Sequence, residues 1–516
     1  MSAPDSLFGR VLRGRDVSPA VSMSADVVVI GTGAGGAAAL YSLAQAGLRV
    51  VALEAGPFVP PSMMTQREEE MMPLLFAEAG ARGNEDLSLT LLQGKGVGGS
   101  TLHNTNLCKR LPPEVLADWE QRFGLRFPDL DDDFARVEAM LGVRQIEDAQ
   151  VNANNAVLQR GVHALGYAGG RLAHNRDERC QQSGFCELGC AYHGKRNALR
   201  VLIPPAVARG AAVLADARVE RIQHSGGRVH AVVGKLVDNA RNRDIGDFTI
   251  RTNGVILAAS ATGSAALAIA SGLPDPFGLQ GQRLHVHPGA VVMGLHDEPI
   301  LGFMGTPQSV ECTEFLSFGP GAEQRVWIVS GFAHPGMAAA MLPGLAADHG
   351  ALMRRYAYAS CAIAMVHDHS SGYVRPGEGE IVHIHYELDA ADRAQMALGL
   401  REAARLLFAG GAREVVVPLV PPLRLRSADE IDAQITPDQV GPFSPSLTAV
   451  HPMSTMWMGN DPRTSVVDAR GKHHHLENLW VADGSLFPTS IGGPPQIPIS
   501  AFGLRVGRHV ASTWGA

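Results

Sequence analysis

The feature that most constrains this chain is a strand, a glycine-rich turn, a helix and a second strand near its amino end. The apolar run DVVVI (26–30) leads into GTGAGG, which carries Gly31, Gly33 and Gly36 in G-x-G-x-x-G spacing. AAALYSLAQAG then predicts a helix, and RVVALEAG predicts a second strand that ends at Glu54. In this pattern the glycines allow a tight turn and close backbone approach, and the helix amino end faces a pyrophosphate. The stretch therefore predicts a Rossmann-like α/β unit that binds a dinucleotide, with Glu54 accepting hydrogen bonds from ribose hydroxyls.

Length and charge narrow the class of protein further. A chain of 516 residues exceeds what one hydrophobic core usually holds, so we expect at least two structural units. The net charge of −7 gives no reason to expect a nucleic-acid partner, because such surfaces carry clustered Lys and Arg. No apolar run reaches the ~18 residues that span a bilayer. Residues 1–25 lack an apolar core of signal-peptide length. We therefore expect a cytoplasmic protein with no transmembrane segment and a mobile lead-in over residues 1–25.

A second glycine-rich turn indicates which dinucleotide is bound. The segment LLQGKGVGGSTLHNTNLCKR (91–110) resembles the flavin-domain signature of the glucose-methanol-choline (GMC) oxidoreductases. HPMSTMWMGN, SVVDARGK, LENLWVADGSLFPTS and PISAFGLRVGRHVA follow one another near the carboxyl end and resemble the closing segment of that family. The resemblance implies FAD as the cofactor. It implies that the following residues bind FAD together with the first glycine turn: Gly98, Gly99, Ser100, His103, Asn104, Val219 and Asp483.

The resemblance also implies a fold. Members have a Rossmann-like FAD-binding domain and an α+β substrate domain built on an antiparallel sheet. The expected boundaries are 24–115, 196–290 and 446–516 for the FAD-binding domain, and 116–195 and 291–445 for the substrate or cap domain.

Local patterns agree with this architecture. Residues 213–222, 228–237 and 248–260 predict strands separated by turns, as the first domain needs. EIVHIHYEL (380–388) alternates in polarity as a half-buried antiparallel strand does. Asp389 then stands where an N-cap would begin a long helix.

The chemistry of alcohol oxidation requires a proton acceptor. When a hydride leaves an alcohol carbon for flavin N5, the hydroxyl proton must leave too, and a group of near-neutral pKa suits that task. Imidazole meets the need best. His451 occupies the H-x-x-S-T segment in which similar proteins carry the catalytic base, whereas His367 and His369, in VHDHSSG, predict a turn. We therefore expect His451 to be the base.

One catalytic position departs from the family. Similar proteins place His or Asn shortly after a P-T-x-x-G-x segment, but this chain has Pro494 there. Proline offers no side-chain hydrogen bond. Either Gln496 supplies that bond, or the substrate is held differently from sugars and choline. Pro498 suits the first turn of the final helix, whose positive amino end would face the reduced flavin.

His103 raises a separate question about how the flavin is held. It stands in GGSTLHN at the position where some similar enzymes, choline and pyranose oxidases among them, attach the flavin 8α-methyl group to a histidine. Other enzymes with a similar stretch hold FAD without a bond. The sequence therefore leaves two alternatives, covalent attachment or packing against the isoalloxazine ring.

Three cysteines lie close together at Cys180, Cys186 and Cys190. Their C-x5-C-x3-C spacing fits neither paired C-x-x-C zinc ligands nor a redox C-x-x-C. The segment resembles that of the bacterial FAD glucose dehydrogenase catalytic subunits, where three such residues bind a 3Fe-4S cluster, and also that of long-chain alcohol oxidases. The first likeness implies a cluster that passes electrons to an acceptor protein. Buried packing and zinc remain alternatives.

The favoured function is that of an FAD-dependent alcohol dehydrogenase or oxidase with a small-molecule alcohol as substrate. We expect a lipophilic alcohol, because the middle of the chain is poor in the aromatic and carboxylate side chains that grip sugars. A non-redox lyase is the alternative, since hydroxynitrile lyases similar to this family keep the fold and use FAD only as structure. Pro494 leaves that alternative open.

Overall fold

The computed structural model describes residues 8–319, 321–379 and 381–514. The strands, in chain order, are β1 (Val11–Arg13), β2 (Ala20–Ile30), β3 (Val50–Leu53), β4 (Leu89–Leu91), β5 (Leu107–Cys108), β6 (Val143–Gln145), β7 (Gly169–Arg171), β8 (Ala173–Asn175), β9 (Ala212–Ala215), β10 (Ala217–Ser225), β11 (Arg228–Asp238), β12 (Arg243–Leu257), β13 (Gln282–Leu284), β14 (Gly289–Leu295), β15 (Val310–Cys312), β16 (Val326–Ser330), β17 (Ala359–Val366), β18 (Gly372–Pro376), β19 (Val382–His385), β20 (Glu414–Val417), β21 (Leu423–Leu425), β22 (Leu447–Ala449) and β23 (Leu479–Val481). The helices are α1 (Ala34–Gln45), α2 (Glu68–Leu75), α3 (Pro113–Phe123), α4 (Leu130–Leu141), α5 (Ala153–Leu165), α6 (Ala198–Val201), α7 (Ile203–Ala208), α8 (Ser260–Ala270), α9 (Pro335–Met341), α10 (Ala346–Arg354), α11 (Ala390–Ala409), α12 (Ile431–Gln434) and α13 (Gln496–Thr513).

The first large sheet confirms the predicted Rossmann-like unit. Its strand order is β1-β9-β3-β2-β12-β11-β10, with β23 also paired to β12. In this order, neighbouring strands are parallel from β1 through β9, β3 and β2 to β12. Strands β11 and β10 then follow as an antiparallel edge. Val27, Val28 and Val29 of β2 have no exposed surface, as expected for a parallel strand covered on both faces. Strand β2, helix α1 and strand β3 thus form the predicted βαβ unit.

The predicted mobile lead-in is wrong over its described part. Strand β1 pairs in parallel with β9, with Leu12 opposite Leu214, and β2 begins at Ala20. Val21 and Met23 are buried while their neighbours are exposed, so this stretch is a half-buried strand with a period of two. The intervening serines hide that alternation in the sequence. Residues 1–7 lie outside the described part of the chain.

The second large sheet confirms the predicted antiparallel α+β unit. Its order is β21-β20-β14-β17-β16-β15-β7, and β22 joins β14 to β4. Neighbouring strands are antiparallel apart from the β22–β4 pair. Helix α11 packs against β14, β16 and β17. The fold is therefore that expected from the resemblance, whereas the proposed domain boundaries stay a prediction.

The smaller elements also follow the sequence pattern. Strand β19 pairs antiparallel with β18, and Ile384 is buried between exposed His383 and His385. Residue 380, where this strand was expected to begin, lies outside the described residues. Asp389 caps α11, because its carboxylate accepts a hydrogen bond of 2.8 Å from the Asp392 backbone N–H.

The last helix packs along the first. A Cβ added at Gly503 of α13 would lie 2.4 Å from the carbonyl oxygen of Gly35 in α1, so only glycine permits this approach. The contact places the amino end of α13 beside the glycine turn that follows β2.

Candidate functional site

The two glycine turns touch each other. Gly31 has φ +99°, and a Cβ there would lie 2.2 Å from the Ala258 carbonyl oxygen. A Cβ at Gly99 would lie 2.7 Å from the Cα of Gly33, the residue that precedes α1. At Gly36, an added Cβ would lie 2.0 Å from the Gly31 oxygen. The backbone is therefore packed so closely that side chains are excluded from the surface beside the α1 amino end, as a pyrophosphate cradle requires.

Glu54 joins these two turns. One carboxylate oxygen accepts hydrogen bonds from the Thr32 backbone N–H (3.1 Å) and hydroxyl (2.7 Å). The other accepts from the N–H groups of Gly56 (3.0 Å) and Gly96 (3.3 Å). The side chain is buried, and this burial raises the pKa of the carboxyl group. Glu54 thus holds the two turns together, and the expected contact with a ribose stays a prediction.

A cavity of about 1420 Å³ brings most of the predicted site residues together. The sequence-predicted residues in its wall are Gly31, Gly33, Glu54, Gly99, Ser100, His103, Asn104, Val219, His451, Asp483, Pro494 and Gln496. Gly36 and Gly98 belong to the two turns but do not line the cavity. Asp483 accepts from the Ser264 hydroxyl at 2.5 Å and caps the short 3-10 helix Gly484–Leu486. Residues distant in sequence therefore share one enclosure.

Two of the sequence-predicted residues in this wall carry a buried polar atom that has no hydrogen-bond partner among the described residues. Asn104 donates from its amide to the Gln496 Oε1 atom, and the Gln496 Nε2 atom is buried without a hydrogen-bond partner. The ring of His103 lies 3.9 Å from the ring of Phe76, and its Nε2 atom is also unpartnered. Burial and nearby Lys195 lower the pKa of His103 to about 3, so the ring is neutral. Buried polar atoms rarely lack partners, so these two fit a ring with polar edges such as isoalloxazine.

His451 is held by a residue that the sequence did not single out. The His451 Nδ1 atom lies 3.1 Å from the Nδ1 atom of His287. The other ring nitrogen of His287 accepts from the backbone N–H groups of Ile491 (3.2 Å) and Gly492 (2.9 Å). This loop leads directly to Pro494 and to the amino end of α13. His287 therefore joins His451 to the segment in which the family's second polar residue is replaced by proline.

Asp368 fixes the backbone at His287. Its carboxylate accepts from the N–H groups of Val286 (2.9 Å) and His287 (3.2 Å) and from the Tyr386 hydroxyl (2.9 Å). His287 has φ +51°, an uncommon conformation for this residue that such bonds stabilise. His367 and Asp368 are buried in the irregular loop between β17 and β18, where the sequence predicts a turn, whereas His369 is exposed. The one sequence signal for this cluster was the density of histidines in HVHP and VHDH.

The cluster combines neutral imidazoles with one charged carboxylate. Burial lowers the pKa of His451 to about 3, and burial lowers the pKa of His367 to about 4. The pKa of Asp368 is held well below its usual value, since hydrogen bonding and the nearby imidazoles outweigh its burial. At neutral pH the His451 ring is therefore uncharged and able to form hydrogen bonds in either direction.

The predicted iron–sulfur cluster is not supported. Over residues 8–319, 321–379 and 381–514, no group of three or more His, Cys, Asp or Glu side chains is arranged to hold a metal ion. Cys186 accepts from the Asn106 amide at 3.3 Å, and Cys190 accepts from the Lys195 backbone N–H at 3.4 Å. Burial raises the pKa of the Cys186 thiol to about 12. Because clusters are bound by thiolates, the raised pKa of Cys186 and the hydrogen bonds that Cys186 and Cys190 accept favour the packing alternative.

Other side chains of this segment face the interior. The Lys195 ammonium donates to the carbonyl oxygens of Leu102 (3.1 Å) and Cys186 (3.2 Å), and also to that of Asn104. Burial lowers its pKa to about 8. Glu187 lines the cavity, and its buried Oε2 atom has no hydrogen-bond partner in the part of the chain that the structure describes. The cysteine segment thus supports the wall of the site beside His103 and Asn104.

In the described part of the chain, no helix is long and apolar enough to cross a bilayer.

Comparisons with known proteins identify the family that the chain is similar to. Family models described as GMC oxidoreductase match residues 72–289 and 368–503. An uncharacterized GMC-type oxidoreductase from Mycobacterium tuberculosis strain H37Rv is 32% identical over 498 residues, which are 95% of this chain and 76% of that protein. The long-chain-alcohol oxidase FAO3 of Arabidopsis thaliana is 26% identical over 520 residues, covering 96% of this chain and 69% of that protein.

Solved structures show the same fold. Pyridoxine 4-oxidase from Mesorbium loti superposes with a TM-score of 0.69 at 19% identity, covering 94% of this chain and 99% of the other. A formate oxidase from Aspergillus oryzae RIB40, solved to follow FAD modification, superposes with a TM-score of 0.70 at 14% identity, covering 96% of this chain and 99% of the other.

Proposed function

This chain belongs to the GMC oxidoreductase family and is an FAD-binding oxidoreductase, and from that premise we propose that it oxidises the CH–OH group of a lipophilic alcohol. The observation that carries the proposal is the shared cavity, in which His451 and the glycine turns line one enclosure. FAD, when bound, supplies the acceptor for the hydride that leaves the alcohol carbon.

His451 is the residue that we propose takes the hydroxyl proton. With Nδ1 directed at His287, the Nε2 atom is the ring nitrogen left for the cavity. The ring is uncharged at neutral pH because burial lowers its pKa to about 3. An uncharged imidazole can exchange a proton with the hydroxyl oxygen as the hydride leaves.

Gln496 is proposed to supply the hydrogen bond that Pro494 cannot. The Asn104 side-chain amide donates to the Gln496 carbonyl oxygen. The Gln496 amide nitrogen does not take part in that bond and is buried without a hydrogen-bond partner among the described residues. Gln496 is the first residue of α13, and Pro498 lies in its first turn. The helix amino end and this amide together offer positive charge and a hydrogen-bond donor to an electron-rich group in the cavity.

The proposed substrate class follows from an apolar part of the cavity lining. Five apolar side chains line it, from the loop after β16, from α9 and the residue that follows it, and from β17: Phe332, Met337, Met341, Leu342 and Ile363. Such a surface is suited to an aliphatic or polycyclic hydrocarbon body. The likeness to plant long-chain-alcohol oxidases supports the same class. Electron delivery to an acceptor protein and residence in the cytoplasm stay predictions.

His103 offers the means to hold the flavin. Its Nε2 atom is buried and has no hydrogen-bond partner among the described residues. A Cβ added at Gly94 would lie only 2.6 Å from this atom. Both alternatives, a covalent bond to the flavin and simple packing, suit this position. Acid precipitation separates them, because a yellow pellet retains bound flavin and a colourless pellet does not.

Anaerobic flavin bleaching tests the proposed function. The holoprotein is mixed without oxygen with straight-chain alcohols of increasing length, a sterol and, as a control, the corresponding alkanes. We expect the flavin absorbance to bleach with the longer alcohols and not with the alkanes. A flavin that stays oxidised with every alcohol would contradict the proposal. That result would favour the lyase alternative, which release of cyanide from a cyanohydrin would then test.

A further inference from the structure

The imidazole of His287 is fixed at both of its nitrogens. Its Nε2 atom lies 2.9 Å from the Gly492 backbone nitrogen and 3.2 Å from that of Ile491. Its Nδ1 atom lies 3.1 Å from the Nδ1 atom of His451. The His287 side chain is 1% exposed, so these contacts lie inside the protein.

These contacts leave one arrangement of hydrogens. A backbone N–H can only donate, so the Nε2 atom of His287 is an acceptor and carries no hydrogen. A neutral imidazole carries one hydrogen, which in His287 is then on Nδ1 and is donated to His451. The His451 Nδ1 atom is therefore an acceptor, and its own hydrogen is on Nε2. We infer that His287 is a positioning residue that holds His451 in the tautomer with an N–H directed toward the cavity.

The surroundings keep both rings neutral and in place. Burial and the neighbouring His451 lower the pKa of His287 well below its ordinary value. The other titratable groups near it are Asp368, His367 and His285. Of these, Asp368 binds the backbone at Val286 and His287 and so fixes the direction of the ring. Hydrogen bonds from three chain segments therefore define this orientation.

The inference rests on the proposed function and adds a condition to it. His451 can accept the hydroxyl proton at Nε2 only after that atom has lost its hydrogen to solvent water and Nδ1 has gained one from water. This exchange leaves the ring uncharged, but it places an N–H of His451 against the N–H of His287. The hydrogen bond between the two rings must then open. His287 thus keeps the base in its donor form until that bond is released.

Nitrogen NMR of the resting holoprotein tests the tautomer directly. Protein labelled with ¹⁵N in its histidine rings is recorded at neutral pH, and His287→Gln and His451→Gln variants assign the signals. We expect a protonated Nδ1 and a bare Nε2 for His287, and the reverse for His451. This pattern is diagnostic because the two rings carry their hydrogens on different atoms. A hydrogen on Nε2 of His287, or on Nδ1 of His451, would overturn the inference.

Two substitutions test whether His287 is the cause. In His287→Gln the amide oxygen can accept from Ile491 and Gly492 and the amide nitrogen can donate to His451, so the His451 signals should stay as in the unaltered protein. In His287→Leu no side-chain atom at this position accepts or donates, and we expect the His451 signals to move toward a mixture of tautomers. The acid limb of kcat/KM should rise by about one pH unit, since loss of one neutral hydrogen bond removes roughly that much preference for the uncharged ring. Unchanged His451 signals in His287→Leu would end the assignment.

A matched control lies in the same cluster. His367 bonds to the Ser490 carbonyl at 3.2 Å and has no hydrogen bond to His451, so His367→Gln should leave the His451 signals unchanged. The NMR measurement needs no turnover, and so it separates the two proposals. If alcohols fail to bleach the flavin while the tautomers are as expected, the proposed function fails and the inference stands. If bleaching occurs with the opposite tautomers, the inference fails alone.

Discussion

The glycine cradle and the histidine cluster are built in opposite ways. In the cradle, main-chain atoms of two short segments meet, and Gly33 and Gly99 approach so closely that a Cβ would be 2.7 Å from backbone. In the cluster, side chains meet: His287 is 164 positions from His451 and 81 from Asp368. The cradle needs the absence of side chains, whereas the cluster needs particular nitrogen and oxygen atoms in particular places. A substitution in the cradle should therefore disturb packing and flavin binding, whereas a substitution in the cluster should slow the reaction.

The largest expected effect is in the histidine cluster. Changing His451 to Ala removes the proton-exchanging group, so anaerobic flavin reduction by alcohol should slow by about 10²–10⁴-fold. Flavin content should stay normal, because the cradle is untouched. Stopped-flow absorbance measures the rate, and His383→Ala, at an exposed position of β19, is the control. Equal rates in His451→Ala and the unaltered protein would mean that the cluster does not serve the reaction.

The cradle should respond to bulk rather than to chemistry. A methyl group at Gly36 would lie 2.0 Å from the Gly31 oxygen, so Gly36→Ala forces the turn apart. We expect a loss of roughly 1–3 kcal/mol of unfolding free energy together with loss of bound flavin. Urea unfolding and the ratio of flavin to protein absorbance measure both. Gly170→Ala is the matched control, since a Cβ there meets nothing within 4 Å. Full flavin content in Gly36→Ala would show that the turn tolerates displacement.

As the pH falls, the free energy of unfolding should decrease through the buried imidazoles before the glycine cradle is affected. The pKa of His174 is lowered to about 4 and that of His103 to about 3 by burial. An unfolded imidazole titrates near ~6.5, so the unfolded state binds more protons between those values and stability falls as pH drops below about 6.5. Each such ring contributes up to about 1.4 kcal/mol per pH unit. Urea unfolding at pH 7 and pH 5.5 should show this loss, and His174→Gln should reduce the slope. A flat profile would contradict the neutral assignment.

The smallest effect is expected at the thiols. If they only support the wall, Cys180→Ser should change alcohol-dependent flavin reduction by no more than about twofold. Metal analysis of the unaltered protein should find no stoichiometric iron. A loss of activity accompanied by loss of a broad absorbance near the flavin bands would instead place an iron centre at these cysteines.

Much of the fold could be read from local pattern. The run at Val27–Val29, the glycines after it and the apolar helix α1 specify a βαβ unit through contacts between near neighbours. Asp389 likewise predicts the start of α11, because an N-cap is recognised from the residues that follow it in sequence. The half-buried strand at Val21 and Met23 was missed because small polar residues on its exposed face looked like a linker. Patterns of period two are weak when one face carries only serine and alanine.

The glycines alone are enough to predict a dinucleotide cradle, because a turn without side chains is encoded by glycines a few positions apart. Likeness to a family also indicates His451 and Gln496 as candidate site residues. What those residues touch depends on how the chain packs. The partnership of His451 with His287, the anchor at Asp368 and the hydrogen-bonded state of the thiols depend on side chains brought together from distant segments. No local pattern encodes such contacts, since they exist only after both sheets have packed.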